Sequence, residues 1–310
     1  MGTSWVFSLA LLGTAGLALW WPEPFLRWGE FNLKTLVVPL LQLIMFVMGT
    51  RVSLRGLRQV WVTPGVIGLG LGLQYVVMPL VAVGLATLFG LAPEVAAGVL
   101  LVGAVCAGNS SNVMTFFAGG NMALSVAMTT TSTLLAPVVT PTLMRLLAGR
   151  EVPVEFGVMA GSIARIVVFP VAGGILFERL LRRRQERANV WLPWVVITAT
   201  CFVNGIITAN SREALLSMGG TLVVVEVLHN GLGYLVGYAG ARMFGLDLRD
   251  AATMAMQVGI RNGGLATGLA YDVLKSGPAA LASVVFGTIQ NASGPLLASY
   301  LKSRMPPAVR

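Results

Sequence analysis

Charged side chains are scarce in this 310-residue sequence, at 11%, whereas hydrophobic residues make up 56% and the mean hydropathy is +0.81. A soluble domain of this size carries roughly a quarter charged residues. No charge occurs between Glu94 and Arg145, and none occurs over residues 59–93. One helical crossing of a bilayer needs about 20 apolar residues, so the first of these stretches holds two crossings. The sequence excludes a soluble domain and predicts an all-α membrane protein.

Histidine and cysteine are also rare, with one histidine and two cysteines. The single histidine, His229, forms neither a metal site nor a catalytic triad, so we expect it to make a packing hydrogen bond. Cys106 and Cys201 lie in apolar segments without metal-ligand spacing, which indicates no disulfide framework. HExxH, P-loop and Gly-x-Ser-x-Gly motifs are absent. The sequence therefore argues against an enzyme or ATP-driven pump, and no cofactor or metal is expected.

The net charge of +9 reflects membrane topology rather than nucleic-acid binding, because Lys and Arg concentrate between the apolar segments. With the N-terminus inside, 13 basic residues fall on inner segments and 6 on outer ones. The positive-inside rule then predicts both termini in the cytoplasm of a bacterial-type plasma membrane. The first apolar stretch ends in Trp20, Trp21 and Pro22 with no small-residue cleavage site, which favours a retained transmembrane helix over a signal peptide.

Apolar runs between charged or Pro/Gly-marked breaks predict ten membrane-spanning helices. Their approximate limits are 4–21, 32–50, 65–89, 94–118, 122–147, 153–178, 190–209, 214–243, 250–274 and 278–301.

The fourth and ninth spans share an unusual pattern. Each begins with an acidic residue, Glu94 or Asp250, and becomes polar midway, at residues 109–112 and 257–264 respectively. They lie five spans apart, so two five-helix halves, residues 1–150 and 151–310, have opposite orientations in the membrane. Interrupted helices at matching positions of inverted halves indicate the binding site of a secondary transporter.

Three charged residues fall inside predicted spans: Arg165, Glu226 and Arg261. Ionisable groups in a membrane are costly and are functional candidates. Arg165 and Glu226 can equally form a structural pair. Arg261 stands in a Gly-rich break, where its guanidinium can bind an anion or hold the carbonyls of unwound backbone.

Polar side chains of the fourth span face hydroxyl groups of the fifth. Oxygen ligands of this kind, with unwound carbonyls, can replace the water shell of a small cation. Alternatively, the Ser and Thr residues bond helix to helix. The candidates are Asn109, Ser111 and Asn112 in the fourth span, and Ser125, Thr129, Thr130 and Thr131 in the fifth.

Several motifs follow one another along essentially the whole chain. They are Ser111-Asn112-Val113-Met114-Thr115, Ala123-Leu124-Ser125-Val126, the run from Ser132 to Pro141, Leu228-His229-Asn230-Gly231-Leu232-Gly233-Tyr234, Val258-Gly259-x-x-Asn262, and Asn291-x-Ser293-Gly294-x-Leu296-Leu297-Ala298. In this order and spacing, the motifs resemble the bile acid:sodium symporter family.

The resemblance implies sodium-coupled uptake of an organic anion, either bile-acid-like or a smaller carboxylate, by alternating access. It implies a core domain of helices 3–5 and 8–10 and a panel domain of helices 1–2 and 6–7, with discontinuous, crossing helices 4 and 9. The positions implied for sodium are Ser111, Asn112, Ser125 and Thr129 at a first site, and Gln74 with the ninth-span break, including Gln257 and Arg261, at a second. Those implied for substrate are Asn109, Asn262, Gln290 and Asn291, to which Arg261 is added by its charge.

This sequence departs from the family pattern at the ninth-span break. The family has Glu-Val-Gly-x-Gln-Asn, whereas this chain has Gln257-Val-Gly-Ile-Arg261-Asn262. The shared carboxylate is gone and a fixed cation replaces a sodium ligand. We predict that Arg261 substitutes electrostatically for bound sodium, so that transport is sodium-independent and proceeds by exchange or by proton coupling through Glu226. Glu226 can equally pair with Arg165 or Arg261. The alternatives are a conventional sodium symporter and a transporter-like binding or sensor protein.

Overall fold

A computed structural model of the protein describes residues 10, 13–50, 63–108, 110–148, 154–180 and 185–305. Of residues 185–190, 193, 214, 215, 218 and 219, only the backbone is described.

The described chain is almost entirely helical. Residues 13–20 are helical, and a short antiparallel hairpin, β1 (Arg27–Trp28) and β2 (Phe31–Asn32), follows α1. The labelled helices are α1 (Glu23–Leu26), α2 (Val37–Gly49), α3 (Pro64–Gly72), α4 (Met78–Leu88), α5 (Pro93–Ala104), α6 (Ser110–Phe117), α7 (Met122–Leu147), α8 (Phe156–Ile163), α9 (Phe169–Leu180), α10 (Gln185–Asn210), α11 (Arg212–Met243), α12 (Leu248–Gly259), α13 (Gly263–Asp272) and α14 (Gly277–Ser303).

Two long helices contain a widened turn. A π-helical turn at Leu73–Val77 joins α3 to α4, and another at Ala164–Val168 joins α8 to α9. Such turns displace backbone carbonyls from the regular helical ladder and occur often at functional sites. Gln74 and Arg165, both singled out from the sequence, lie in these turns.

The prediction of an all-α membrane protein is confirmed. Among the described residues, four helical stretches are long and apolar enough to cross a bilayer: Pro64–Leu88, Met122–Leu147, Phe156–Leu180 and Gly220–Met243. Large apolar side chains remain exposed on them, such as Leu88 at 77% and Phe169 at 69%. Exposed apolar surface of this extent marks contact with lipid rather than water. The predicted first span, 4–21, lies partly outside the described residues.

Side-chain caps fix where several helices begin. The Asn121 side chain accepts a hydrogen bond from the Leu124 amide at 3.1 Å at the start of α7, and Asp247 accepts from Asp250 at 2.7 Å before α12. Capping satisfies amides that have no partner in the first helical turn. The starts of α7 and α12 are therefore encoded locally. α7 begins after the first of the two predicted breaks, and α12 begins before the second.

Glycine allows α2 and α9 to touch backbone to backbone. A Cβ atom on Gly174 would meet the Phe46 carbonyl and lie 2.8 Å from the Thr50 amide nitrogen. Small residues at such crossings let membrane helices approach closely, because packing replaces the missing hydrophobic driving force between them.

Candidate transport site

Two interrupted helices meet at the centre of the candidate site, and their meeting point is called the crossing below. α5 ends at Ala104 and α6 begins at Ser110, while α12 ends at Gly259 and α13 begins at Gly263. The extended segments pair antiparallel: the Asn262 amide donates to the Cys106 carbonyl at 2.9 Å, and the Gly108 amide donates to Ile260 at 3.3 Å. Unwound backbone in a membrane needs partners of this kind. The helix breaks predicted from the sequence therefore meet each other in space.

Gln257 lies at the centre of a polar cluster formed by α6, α7 and α12. Its Nε2 donates to the Ser125 Oγ at 2.7 Å and to the Asn112 Oδ1 at 3.2 Å. The Thr129 hydroxyl lies 3.1 Å from both the Gln257 Oε1 and the Asn112 Oδ1. Gln257 is completely buried, and Ser125 donates to Asn112 at 2.6 Å. The amide thus presents N–H donors to the oxygens that the family resemblance assigns to a first sodium ion.

Three of the predicted cluster members behave differently, and one member was missed. The hydroxyls of these three bond carbonyls of their own segments: Ser111 bonds Gly108 at 2.6 Å, Thr130 bonds Val126 at 2.7 Å, and Thr131 bonds Ala127 at 2.8 Å. Thr115 lies 3.2 Å from the Ser125 hydroxyl and joins the cluster. Its position in the Ser-Asn-x-x-Thr run, one helical turn after Ser111, was the available signal.

Arg261 is buried with no exposed surface, and its guanidinium donates to backbone carbonyls. Its Nη2 bonds the Gln74 carbonyl at 2.9 Å and the Gly103 carbonyl, and its Nε bonds Val102 at 3.2 Å. Two of these carbonyls belong to the last turn of α5, where the helix dipole is negative. The third belongs to the π-helical turn. The sequence allowed two roles for Arg261, binding an anion or holding backbone carbonyls. Its hydrogen bonds are those of the second role.

The Gln74 side chain is completely buried and has no hydrogen-bond partner among the described residues. Its backbone carbonyl, rather than its side chain, contacts Arg261.

Two of the side-chain amides predicted to contact substrate, those of Gln290 and Asn262, bond backbone groups at the break between α12 and α13. Gln290 brackets the Arg261 peptide, accepting from its amide at 2.9 Å and donating to its carbonyl at 3.1 Å. The Asn262 Oδ1 caps α13 through the Leu265 amide at 3.0 Å. Asn291 lies on the cavity wall, and Asn109 lies outside the described residues.

A cavity of about 710 Å³ adjoins the crossing. Its wall is mainly apolar, with residues from α2, α9 and α10 facing α7 and α14. The polar part of the wall consists of Ser110, Asn112, Thr129, Thr130, Thr133, Asn262, Gln290 and Asn291, among others. An apolar pocket with a few convergent polar groups is the usual form of a small-molecule site.

On the other side of the crossing, side chains join the helices directly. Asp272, at the end of α13, accepts a hydrogen bond from the Ser162 hydroxyl at 2.5 Å and forms an ion pair with Arg165. The Lys34 ammonium lies 5.0 Å from the centre of the Tyr271 ring. These contacts tie the end of α13 to α8, to the π-helical turn that contains Arg165 and to Lys34.

A family model, the sodium bile acid symporter family, matches residues 38–218 of this chain. The chain belongs to this family. It is 37% identical over 301 residues to the uncharacterized sodium-dependent transporter YocS of Bacillus subtilis, covering 97% of this chain and 90% of that protein. It is 30% identical over 306 residues to the probable sodium/metabolite cotransporter BASS1, chloroplastic, of Oryza sativa subsp. japonica, covering 97% and 73%. Arabidopsis thaliana BASS1, with the same description, is 30% identical over 266 residues, covering 86% and 66%.

Membership shows that the protein is an integral membrane transporter and not an enzyme. The family model ends at residue 218, so it does not include Gln257 or Arg261.

The suggested Arg165–Glu226 and Arg261–Glu226 pairs are wrong. Arg165 pairs with Asp272, and its side chain is 57% exposed. Glu226 instead contacts His229, with 3.4 Å between the Glu226 Oε2 and the His229 Nδ1. Both residues are on α11 and both are completely buried. The sequence treated His229 as a lone packing residue, although its spacing of three from Glu226 places the two on one helix face.

Proposed function

We propose that this family member transports a small organic anion by alternating access without requiring sodium. Two five-helix repeats, residues 1–150 and 151–310, would form a core domain of helices 3–5 and 8–10 and a panel domain of helices 1–2 and 6–7. Both termini would face the cytoplasm of a bacterial plasma membrane. In that orientation the cavity beside the crossing faces the cytoplasm, and the Asp272 contacts close the outer side.

Sodium independence is supported by one observation: at two places, N–H groups of the protein bond the oxygens that a sodium ion would need as ligands. The Gln257 amide donates to Ser125 and Asn112, at 2.7 and 3.2 Å. The Arg261 guanidinium occupies the carbonyls of Gln74, Val102 and Gly103. A sodium ion needs these oxygens as ligands and must displace the donors to reach them, and Arg261 would also repel it. The residues present therefore do not fit sodium.

An organic anion as substrate is supported by the cavity and by the charge at the crossing. Arg261 borders the cavity, and its buried guanidinium adds one unit of positive charge behind the wall without a bound ion. The N-terminal end of α13 begins beside it, which adds partial positive charge. The apolar remainder of the wall suits the hydrocarbon part of a carboxylate. This is the class that the family resemblance implies.

Exchange in sodium-free vesicles tests the proposal. Purified protein is reconstituted in potassium buffer, loaded with unlabelled cholate or pyruvate, and tested for uptake of the same labelled acid. We expect exchange by the wild type. Gln290→Ala should abolish it, because Gln290 brackets the Arg261 peptide. Thr142→Val is the control, since the Thr142 hydroxyl bonds the Val138 carbonyl of its own helix.

Conventional sodium symport is the second candidate, and it is favoured by the names of the relatives from Bacillus and Oryza. Exchange that requires sodium and is absent in potassium would favour it and contradict our proposal.

A further inference from the structure

A buried acid–base pair lies near the crossing and has no role in the site described above. Glu226 and His229 are completely buried on α11 and contact each other at 3.4 Å. Among the described residues, the Glu226 Oε1 has no hydrogen-bond partner, whereas the His229 ring also bonds the backbone of Met78. Buried polar atoms are almost always paired, so an orphaned carboxyl oxygen beside a second titratable group points to a functional site.

The pair is attached to the helix breaks. Asn230, the residue after His229, donates to the Gly259 carbonyl at 3.0 Å, two residues before Arg261. Arg261 is the charged residue of this break, and its guanidinium is held by the carbonyls of Gln74, Val102 and Gly103. A movement of the backbone at this break would therefore also move α11 next to His229.

The charge state of the pair follows from its surroundings. An ionised carboxylate without a paired cation is too costly in an apolar interior and takes up a proton instead. Among the described residues, Glu226 has no salt bridge other than its contact with His229. A completely buried imidazole is likewise more stable neutral than charged. The proton therefore belongs on Glu226, with neutral His229 as its hydrogen-bond acceptor.

Other ionisable groups on the packed elements are either distant from the pair or already bonded. Tyr75 donates to the Ser132 carbonyl at 2.7 Å, and Tyr234 lies 3.1 Å from the Ser293 hydroxyl. The remaining charged and titratable residues of α11, α12 and α14 with described side chains lie towards the helix ends: Arg212, Glu213, Tyr238, Arg242, Arg249, Asp250, Tyr300 and Lys302.

We propose that Glu226 and His229 form a proton-binding site that couples transport to the proton gradient. The inference rests on the proposed sodium-independent transport. In the conformation described, Glu226 holds the proton. When the crossing rearranges and water reaches the pair, the carboxyl releases its proton to that water, and the carboxylate keeps its contact with His229. One proton then moves with one anion, so a monocarboxylate would be carried without net charge.

Infrared spectroscopy of the purified full-length protein tests the proton site without any substrate. A protonated buried carboxyl has a carbonyl stretch separate from that of a carboxylate. We expect this band near neutral pH in the wild type and its loss in Glu226→Gln. Glu94→Gln is the matched control, because Glu94 bonds the Ser276 hydroxyl at 2.7 Å at a helix start. If Glu226→Gln leaves the protonated-carboxyl region unchanged, the proposal is overturned.

Vesicle transport tests the coupling. In sodium-free buffer, an inward proton gradient should drive severalfold accumulation of labelled cholate or pyruvate by the wild type and by Glu94→Gln. Glu226→Gln should lose that accumulation and keep exchange at equal pH. If the wild type exchanges the acid but an inward proton gradient drives no accumulation, proton coupling is overturned and the proposed function stands. Wild-type failure to exchange either acid would count against the proposed function, while the infrared result still decides the proton site.

Discussion

The charge arrangement at the crossing predicts that sodium dependence can be restored by two substitutions. Gln257→Glu supplies a carboxylate beside Asn112, Ser125 and Thr129, and Arg261→Gln removes the guanidinium from the Gln74 carbonyl. A cation bound to that carbonyl would lie about 4 Å from the guanidinium, which is about 4 kcal/mol of repulsion at an effective dielectric near 20. The introduced carboxylate contributes attraction of similar size to the neighbouring site. Each change therefore alters sodium affinity by about a thousandfold.

Thermal unfolding of the purified double variant in matched sodium and potassium buffers measures this effect. Sodium at ten times its dissociation constant stabilises the folded state by about 1.4 kcal/mol. That corresponds to a rise of a few degrees in Tm, of the order of 2–4 °C per kcal/mol for a chain of this size. We expect no difference between the two salts for the wild type and a clear one for the double variant.

A matched control makes the same two chemical changes elsewhere. The Gln42 side chain donates to the Arg165 carbonyl at 3.2 Å, outside the crossing. Gln42→Glu with Arg165→Gln should therefore give the same Tm in sodium as in potassium. A wild type already stabilised by sodium over potassium, or a folded double variant that shows no preference, would refute the reasoning.

Two further predictions concern packing and the closed side of the site. Gly174→Ala should destabilise the protein by about 1–3 kcal/mol, because its Cβ would strike the Phe46 carbonyl. Gly161→Ala, with open space around the added carbon, should not lower Tm, and equal losses in both variants would contradict the argument. Asp272→Asn breaks an exposed ion pair worth up to about 1 kcal/mol, so it should raise the labelling rate of the buried Cys106 by up to about fivefold. Unchanged labelling would show that the Asp272–Arg165 contact does not hold this side closed.

Much of the architecture is encoded locally and could be predicted. The uncharged stretch after Glu94 requires helices in a bilayer, and caps such as Asn121 and Asp247 set where they begin. The helix interruptions near Asn112 and Asn262 were visible because polar residues and glycine cannot continue an apolar helix without partners. The two π-helical turns were not predicted, since a single displaced residue leaves no periodic signal in an apolar sequence.

The sequence by itself determined the family and the helical membrane class, and the family resemblance predicts that Gln257 and Arg261 replace a carboxylate and an amide. Only the tertiary structure decided what Gln257 and Arg261 contact, because the partners lie far apart in the chain. It brought the Arg261 guanidinium to carbonyls more than 150 residues away and paired Arg165 with Asp272 instead of Glu226. Hydrogen bonds and ion pairs depend on distances of a few ångströms between helices, and no local pattern specifies those distances.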